Sequence, residues 1–339
     1  MSTPLLDVRH LRVEFGSPKA PLIAVNDLSL QVNAGETLAI VGESGCGKSV
    51  TALALTRLLH GSQARISGSV KYRGEEISTL DERQMRGIRG RHIGMIFQDP
   101  MSALNPVMSV GDQLIEAIQA HDKLSRVQAR ARAQELLEKV RIPEPQKRLD
   151  DYPHRFSGGM RQRVVIALAL AGRPSLLIAD EPTTALDVTI QAQILGLLAT
   201  LQKEMGMGLI LITHDLGVVA ETADRVMVMY AGRKVEEQPV HGLFAAPRHP
   251  YTQGLIAARP ALQINPTARR VRLREIPGMV PMLSQLPEGC AFAARCERAS
   301  DACHQQPDAV RIDTLTSVAC HHPWQAIDHP LLQPQRAHA

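Results

Sequence analysis

The segment Gly42–Ser49 has the composition and spacing of a loop that binds phosphate groups. Two glycines separated by four residues are followed by Lys48 and Ser49, between a strand predicted at Thr37–Val41 and a helix predicted at Ser49–Leu59. In such a loop, backbone N–H groups surround phosphate oxygens and the helix N-terminus adds a favourable dipole. We expect Lys48 to contact the β- and γ-phosphates and Ser49 to ligate Mg²⁺. The segment therefore predicts binding of a nucleoside triphosphate.

A second segment supplies two carboxylates in adjacent positions. The apolar run that begins at Leu176 predicts a strand that ends in Asp180, and Glu181 follows directly. Because ligands of α/β folds bind at the carboxyl ends of strands, Asp180 is placed to hold Mg²⁺. Glu181 is then placed to accept a proton from the water that attacks the γ-phosphate. The alternative is a strand followed by a solvated acidic turn.

A third segment, Phe156–Arg163, predicts another helix start that favours anions. Ser157 is a good N-cap residue, and Gly158 and Gly159 leave backbone N–H groups exposed. Since the chain already has one phosphate-binding loop, we expect this helix start to face the nucleotide of another subunit. A simple capped helix is the alternative.

Composition narrows the function classes. The 339 residues carry 38 Lys and Arg against 34 Asp and Glu, a mixed balance of +4, and only 3% of them are aromatic. These values do not favour nucleic acid as a partner. No segment approaches the 18 apolar residues of a membrane span, and Met1–Phe15 lacks the layout of a secretory signal. We therefore expect a cytoplasmic chain that forms no channel alone.

The order of the predicted elements indicates an α/β fold. Buried runs at Leu176–Ala179, Leu209–Thr213 and Val226–Tyr230 alternate with helices, which predicts a largely parallel sheet. Before them, residues 1 to about 95 are mainly β-type, and residues 96 to about 155 are richer in helix formers. After Gly242 the sequence becomes Pro-rich and irregular.

Taken with their order, these segments resemble an ATP-binding-cassette (ABC) ATPase over about residues 5–260. The resemblance implies an ABC-type P-loop NTPase fold, with a parallel-sheet core, an antiparallel β-subdomain and a helical subdomain. It also implies that Ser157–Gly159 is the signature that closes over a partner's ATP, although Met160 departs from the commoner Gln. Gln98 matches the glutamine of the loop that links the nucleotide site to a membrane subunit. Residues 185–187 match the loop that lies at the dimer interface, and His214 matches the histidine that contacts the γ-phosphate.

The resemblance assigns site residues as follows. The predicted catalytic residues are Lys48, Gln98, Glu181 and His214, and the predicted Mg²⁺ ligands are Ser49, Gln98 and Asp180. The predicted ATP contacts are Phe15, Gly42, Ser44, Gly45, Cys46, Gly47, Lys48, Ser49, Val50, Gln98, Ser157, Gly158, Gly159, Asp180 and Asp187. Phe15 resembles the aromatic residue that stacks on adenine, but a phenylalanine in a strand is also a common core residue.

Segments outside the ATPase motifs resemble the oligopeptide/dipeptide importer subfamily, which also includes glutathione and nickel uptake systems. They are 152–154, 248–252, 276–278 and 286–290. The resemblance implies a peripheral ATPase on the cytoplasmic face of the inner membrane. Its expected partners are a second, similar ATPase (a heterodimer, with a homodimer as the alternative), two membrane permease subunits and, indirectly, a periplasmic substrate-binding protein. The other readings are a soluble ABC ATPase acting on DNA or ribosomes and a phosphate-loop kinase.

We expect a nucleotide-binding domain at 1–258, with its helical subdomain at about 96–170, and a small irregular Cys-rich domain at 259–324. Residues 325–339 are predicted to form a disordered tail. Four cysteines, Cys290, Cys296, Cys303 and Cys320, lie within 31 residues. Disulfides are not expected in a reducing compartment, and four thiolates suit zinc or a [4Fe–4S] cluster. The wide spacing and the resemblance to dipeptide-importer ATPases favour the cluster, with zinc and four structural thiols without a metal as the alternatives.

Overall fold

A computed structural model describes residues 3–59, 64–184, 186–258 and 275–325. Its strands are β1 Leu6–Phe15, β2 Leu22–Val32, β3 Thr37–Val41, β4 Arg65–Tyr72, β5 Glu75–Glu76, β6 Ile93–Ile96, β7 Leu176–Asp180, β8 Gly208–Ile212, β9 Arg225–Tyr230, β10 Arg233–Pro239, β11 Val310–Arg311 and β12 Ser317–Val318. Its helices are α1 Lys48–Leu55, α2 Glu82–Ile88, α3 Pro100–Ala103, α4 Val110–Gln119, α5 Arg126–Lys139, α6 Pro145–Arg148, α7 Gly158–Ala169, α8 Val188–Met205, α9 Leu216–Thr222, α10 Val240–Ala245 and α11 Pro250–Ala257.

The strands form two sheets. The larger one has the order β11-β12-β10-β9-β3-β8-β7-β6. Within it β9, β3, β8, β7 and β6 run parallel to one another. The smaller one, β2-β1-β4-β5, is antiparallel. In the larger sheet β3, β7 and β8 are buried along their whole length, which explains their continuous apolar sequences. The predicted α/β class, with a parallel core, is confirmed.

The topology explains where the predicted site residues meet. The strands β3, β8, β7 and β6 are neighbours in this order and run in the same direction, so their carboxyl ends lie at one edge. Gly42 follows β3 directly, Glu181 follows β7 directly, and Gln98 and His214 come two residues after β6 and β8. Four segments far apart in sequence therefore converge because parallel strands place their ends together.

Helices α3–α7 cover one end of the larger sheet. Their apolar side chains form a buried cluster around Leu114, Leu137 and Ile166 that continues onto Leu177 of β7. A second cluster lies between the two sheets, with Leu6 and Leu28 on one side and Ile40 on the other. The first cluster includes side chains of α7 and the second includes those of α1, so the two helices with predicted anion-binding starts are held in fixed positions.

The C-terminal part of the described chain differs most from the sequence-based expectation. Strand β10 contains several charged residues and was not predicted, yet it pairs with β9 and accepts β12 on its other edge. Its Glu236 is fully buried and accepts hydrogen bonds from the backbone N–H groups of Arg248 and His249. These bonds compensate for the burial of the carboxyl group.

Helix α1 ends at Leu55, four residues before the predicted end. Of the predicted disordered tail, only residue 325 lies within the described residues.

Candidate nucleotide site

The loop after β3 has the backbone conformation that a phosphate-binding loop requires. Gly42 has φ of 153°, and a Cβ atom there would lie 2.2 Å from the carbonyl oxygen of Met229. Gly47 has φ of 100°, and its Cβ would lie 2.5 Å from the carbonyl oxygen of Ala24. Both positions therefore exclude any side chain. Gly45 also has a positive φ, with open space around it.

The lysine of this loop is buried and donates to the loop itself. The Lys48 Nζ atom lies 2.8 Å from the Gly42 carbonyl oxygen and 3.0 Å from that of Glu43. Its side chain thus arches over the loop from the first turn of α1, and the ammonium group stands where phosphate oxygens are expected to bind. Ser44 and Gly45, at the tip of the loop, are exposed.

Cys46 and Val50 belong to the protein interior rather than to an open ligand surface. The Cys46 side chain is fully buried, and burial raises the pKa of its thiol. Its backbone carbonyl accepts a hydrogen bond from the N–H group of Gly232, which fixes the loop to the β9–β10 turn. Val50 is half-buried and packs on the cluster between the sheets. Only the backbone of Cys46 is therefore available to a ligand.

Ser49 and Asp180 form the predicted pair of oxygen ligands. The Ser49 hydroxyl donates to Asp180 Oδ1 at 3.0 Å and thereby joins α1 to the end of β7. Burial, together with the nearby charge of Glu181, raises the pKa of Asp180. A hydroxyl and a carboxylate oxygen are ligands that suit Mg²⁺, so the pair fits this ion.

Glu181 is contacted by its own turn and by two other segments. Its Oε2 atom accepts hydrogen bonds from Thr184 Oγ1 at 2.9 Å and Gln98 Nε2 at 3.3 Å, and His214 Nδ1 lies 3.5 Å away. Glu181 has φ of 44°, an uncommon conformation for a residue with a side chain, and its N–H donates to the carbonyl of Ile212. Oε1 has no hydrogen-bond partner in the described part of the chain. One carboxylate oxygen is thus held, and the other is available to a water molecule.

The helix start at Ser157 is separate from this site. The Ser157 hydroxyl caps α7 by accepting from the N–H of Met160, and Ser157 and Gly158 are exposed. At Gly159 a Cβ atom would lie 2.7 Å from Ile190 of α8, so a glycine is needed for the two helices to pack. Asp187 caps α8 and is also exposed. Of the predicted loop 185–187, the first residue lies outside the described part.

Phe15 stands at the end of β1, opposite Leu22. It is half-buried and packs on the cluster between the sheets. This position is compatible with a face left open for a base, but the described contacts are those of a core residue. The stacking role stays a prediction.

Sequence reasoning missed three residues that contact this site. Thr184 was not assigned, although it lies three residues after Glu181. Arg295 forms an ion pair with Glu43 of the phosphate loop, and the Tyr251 hydroxyl accepts from the Glu43 N–H. Tyr251 lies in a segment whose only sequence signal was the subfamily resemblance, and Arg295 lies between Cys290 and Cys296, in a region that the sequence singled out only for its cysteines.

The four predicted metal-ligating cysteines are not arranged as a metal site. No group of three or more His, Cys, Asp or Glu side chains within residues 3–59, 64–184, 186–258 and 275–325 is placed to hold a metal ion. Burial raises the pKa of the Cys290 and Cys296 thiols and raises that of Cys320 to about 11. Because metal ligation requires thiolates, a metal ion would have to displace the protons of these thiols on binding. The sulfur atoms of Cys296 and Cys320 accept hydrogen bonds from the backbone N–H groups of Arg298 and His322.

Helices in the described ranges are all too short or too polar to cross a membrane.

Comparison with known proteins gives two family matches. Residues 25–184 match the ABC transporter family, and residues 235–303 match the C-terminal region of oligopeptide/dipeptide transporters. A putative peptide import ATP-binding protein of Brucella melitensis is 52% identical over 327 residues, which cover 94% of this chain and 95% of the relative. A probable peptide ABC transporter ATP-binding protein of Sinorhizobium fredii is 53% identical over 318 residues, or 93% and 94% of the two chains.

Solved structures share the fold. A dimeric, post-hydrolysis structure of the ATP-binding cassette MJ0796 bound to ADP and Pi has a TM-score of 0.61 and 27% identity, and covers 69% of this chain and 98% of its own. The structure of cbiO1 from Clostridium perfringens, part of the ABC transporter complex cbiONQ, has a TM-score of 0.61 and 30% identity, covering 71% and 91%.

Proposed function

Because this chain belongs to the ABC transporter family of ATPases, we propose that it is the ATP-hydrolysing subunit of a bacterial importer of di- and oligopeptides. The peptide substrate is supported by the match of residues 235–303 to oligopeptide/dipeptide transporters and by the names of its relatives. Importers of nickel or glutathione are the alternatives within the same subfamily.

The observation that carries the proposal is the convergence on Glu181 of Gln98, Thr184 and His214, beside the Ser49–Asp180 pair. ATP binds over the loop of residues 42–49, and Lys48 exchanges its two carbonyl partners for phosphate oxygens. Such charge-assisted bonds are stronger than those to neutral carbonyls. Ser49 and Asp180 would hold Mg²⁺, with Gln98 as a further predicted ligand, and the ion neutralises phosphate charge when bound.

Hydrolysis in this proposal depends on the free oxygen of Glu181. Thr184, Gln98 and His214 orient the carboxylate through Oε2, and Oε1 accepts the proton of the attacking water. His214, whose side chain is 67% exposed, also reaches the γ-phosphate. The helix start at Ser157–Gly159 closes on the ATP of a second ABC ATPase subunit through its exposed residues, Ser157 and Gly158. The favoured second subunit is a paralogue, which gives a heterodimer; the alternative is a second copy of this chain.

Coupling to transport uses the Gln98 region, where Phe97 is an exposed apolar side chain next to the site. Two integral permease subunits bind there from the membrane, and a periplasmic binding protein delivers the substrate to them. The chain is then peripheral, on the cytoplasmic face of the inner membrane, and does not bind nucleic acid.

The test is purification of the tagged chain from detergent-solubilised membranes. We expect two permease subunits to co-purify, and the complex in proteoliposomes to hydrolyse ATP faster when a dipeptide and the binding protein are present. Stimulation by nickel or glutathione alone would identify the alternative substrates. A chain that purifies without membrane subunits, bound to DNA or ribosomes, would overturn the proposal.

The [4Fe–4S] cluster on the four cysteines stays a prediction from resemblance, and no step above depends on it. Anaerobically purified protein with the cluster is brown and absorbs near 400 nm, a band that Cys296→Ser should remove. Colourless protein with stoichiometric zinc would decide for zinc. Colourless protein without metal would contradict both the cluster and the zinc site.

A further inference from the structure

Glu43 of the phosphate loop is held twice by residues that follow β9 in the chain. Its backbone N–H donates to the Tyr251 hydroxyl at 2.8 Å. Its carboxylate accepts two hydrogen bonds from Arg295, from Nη1 at 2.8 Å and from Nη2 at 3.1 Å. The two anchors lie 208 and 252 residues away from Glu43 in sequence. Both lie beyond residue 184, where the ABC transporter family match ends.

The Arg295 guanidinium is fixed on all sides. Its side chain is only 5% exposed, Nε donates to the Pro277 carbonyl at 2.8 Å, and Nη1 also reaches the Tyr230 hydroxyl at 3.3 Å. A buried bidentate arginine pair has little freedom to reorient. Arg295 therefore presents a rigid partner to Glu43.

An aromatic cluster supports both anchors. The Tyr230 and Tyr251 rings have centroids 4.6 Å apart, and Phe292 lies 5.3 Å from Tyr230 and 5.4 Å from Tyr251. Tyr230 directly follows Met229, whose carbonyl oxygen lies against Gly42. The same cluster thus limits the movement of Gly42 and of Glu43, the first two residues of the loop.

Lys48 makes the position of Glu43 relevant to ATP. Its Nζ atom is bonded to the carbonyls of Gly42 and Glu43, so the orientation of these two peptide groups sets where the ammonium group stands. We propose that Arg295, with Tyr251, is a positioning residue for ATP binding, because it fixes Glu43 and thereby preorganises the phosphate loop. This inference rests on the proposed ATPase function.

The test is equilibrium binding of a fluorescent ATP analogue with Mg²⁺ to the full-length chain. We expect Arg295→Met to raise Kd about five- to tenfold, because the loop then spends only a tenth to a fifth of its time in the binding conformation. Glu43→Gln should raise Kd by a similar factor. The double variant should show no further increase, since both changes remove the same contact. Arg295→Lys should restore part of the affinity.

Arg298→Met is the matched control. Arg298 lies in the same segment but stacks on Trp324, with its Cζ atom 4.0 Å from the ring centroid. The Kd of the Arg298→Met variant for the ATP analogue should therefore equal that of the wild type. If the wild type does not bind the analogue, the proposed function fails. If the wild type binds and Glu43→Gln and Arg295→Met leave Kd unchanged, or if their effects multiply in the double variant, the positioning role is overturned. Should Arg295→Met fail to fold, Glu43→Gln and Arg295→Lys decide.

Discussion

Two helix starts in this molecule favour anions, but their surroundings differ. The start of α1 is backed by buried Lys48, by the Ser49–Asp180 pair and by anchors on Glu43. The start of α7 has only its cap, Ser157, and the packing of Gly159 against Ile190. The first is a built site, whereas the second is an exposed surface with polar groups pointing outward.

The difference fits the proposed arrangement, in which one chain supplies two unlike halves of a site. A helix start that binds anions gains affinity when cationic and metal-binding groups face the same ligand. At the start of α7 the contacts of Ser157 and Gly159 are the cap and the packing on Ile190, while the nearby Arg155 and Arg161 bond to Asp151 and to the Pro153 carbonyl. A second subunit that brings its own phosphate loop would complete the arrangement, which agrees with the dimeric state of the MJ0796 structures.

Removing the lysine should produce the largest change in binding. Lys48→Ala deletes the ammonium group and should raise the Kd for ATP about 100-fold. This factor corresponds to roughly 2.7 kcal/mol, a typical contribution of hydrogen bonds to charged groups. Isothermal titration of the full chain measures this change. Near wild-type affinity would mean that the α1 start does not bind the triphosphate.

A change at the second helix start should have the opposite pattern. Ser157→Arg should leave the ATP affinity of the chain within about twofold of the wild-type value. It should lower ATP turnover by the assembled transporter about 30-fold, a factor within the range typical of coupling between two sites. Ser157→Thr, which keeps the cap, is the control for helix stability. Loss of ATP affinity in the isolated Ser157→Arg chain would show that both starts serve one site.

The start of a third helix, α11, differs from the other two because a buried histidine, His249, caps it. His249 Nδ1 accepts from the Tyr251 N–H, and burial lowers the pKa of His249 to about 3, against 6.5 when unfolded. Between these values the unfolded chain binds the extra proton, so stability falls as pH is lowered from 6.5. At pH 5 this costs about 2 kcal/mol.

The measurement is urea unfolding at pH 7 and at pH 5. His249→Asn keeps an acceptor for the cap without a titrating ring. The wild type should lose about 2 kcal/mol more than this variant between the two pH values. Equal losses would contradict a neutral, buried His249.

The smallest effect on stability is expected at Asp180. Replacing this residue should stabilise the fold, as replacing a functional residue often does. Its pKa is raised above the unfolded value of 3.8, so the folded chain binds more protons, and stability falls as pH rises above 3.8. Without Mg²⁺, Asp180→Asn should therefore raise stability at pH 7 by about 1 kcal/mol, while turnover is lost. A thermal scan at pH 7 and pH 4 checks this, because the gain should shrink at pH 4.

Much of the nucleotide site could be predicted from the sequence because parallel strands bring their carboxyl ends together. Gln98, Glu181 and His214 follow three such strands and Asp180 ends one of them, so their order in the chain implied their meeting. The contacts of Arg295 could not be predicted, since they depend on the path of irregular segments around Tyr230. The arrangement of the four cysteines could not be predicted, because spacing along an irregular segment does not fix where its side chains lie.

The most direct measurement is ATP turnover by the assembled transporter with Glu181→Gln. The variant keeps the size of the side chain and can still bond with Thr184, but it has no carboxylate to accept the proton. We predict ATP binding close to that of the wild type, a stable closed dimer by light scattering, and turnover reduced about 1,000-fold. Wild-type turnover by Glu181→Gln would contradict the assignment of Glu181, and with it the proposed hydrolytic site.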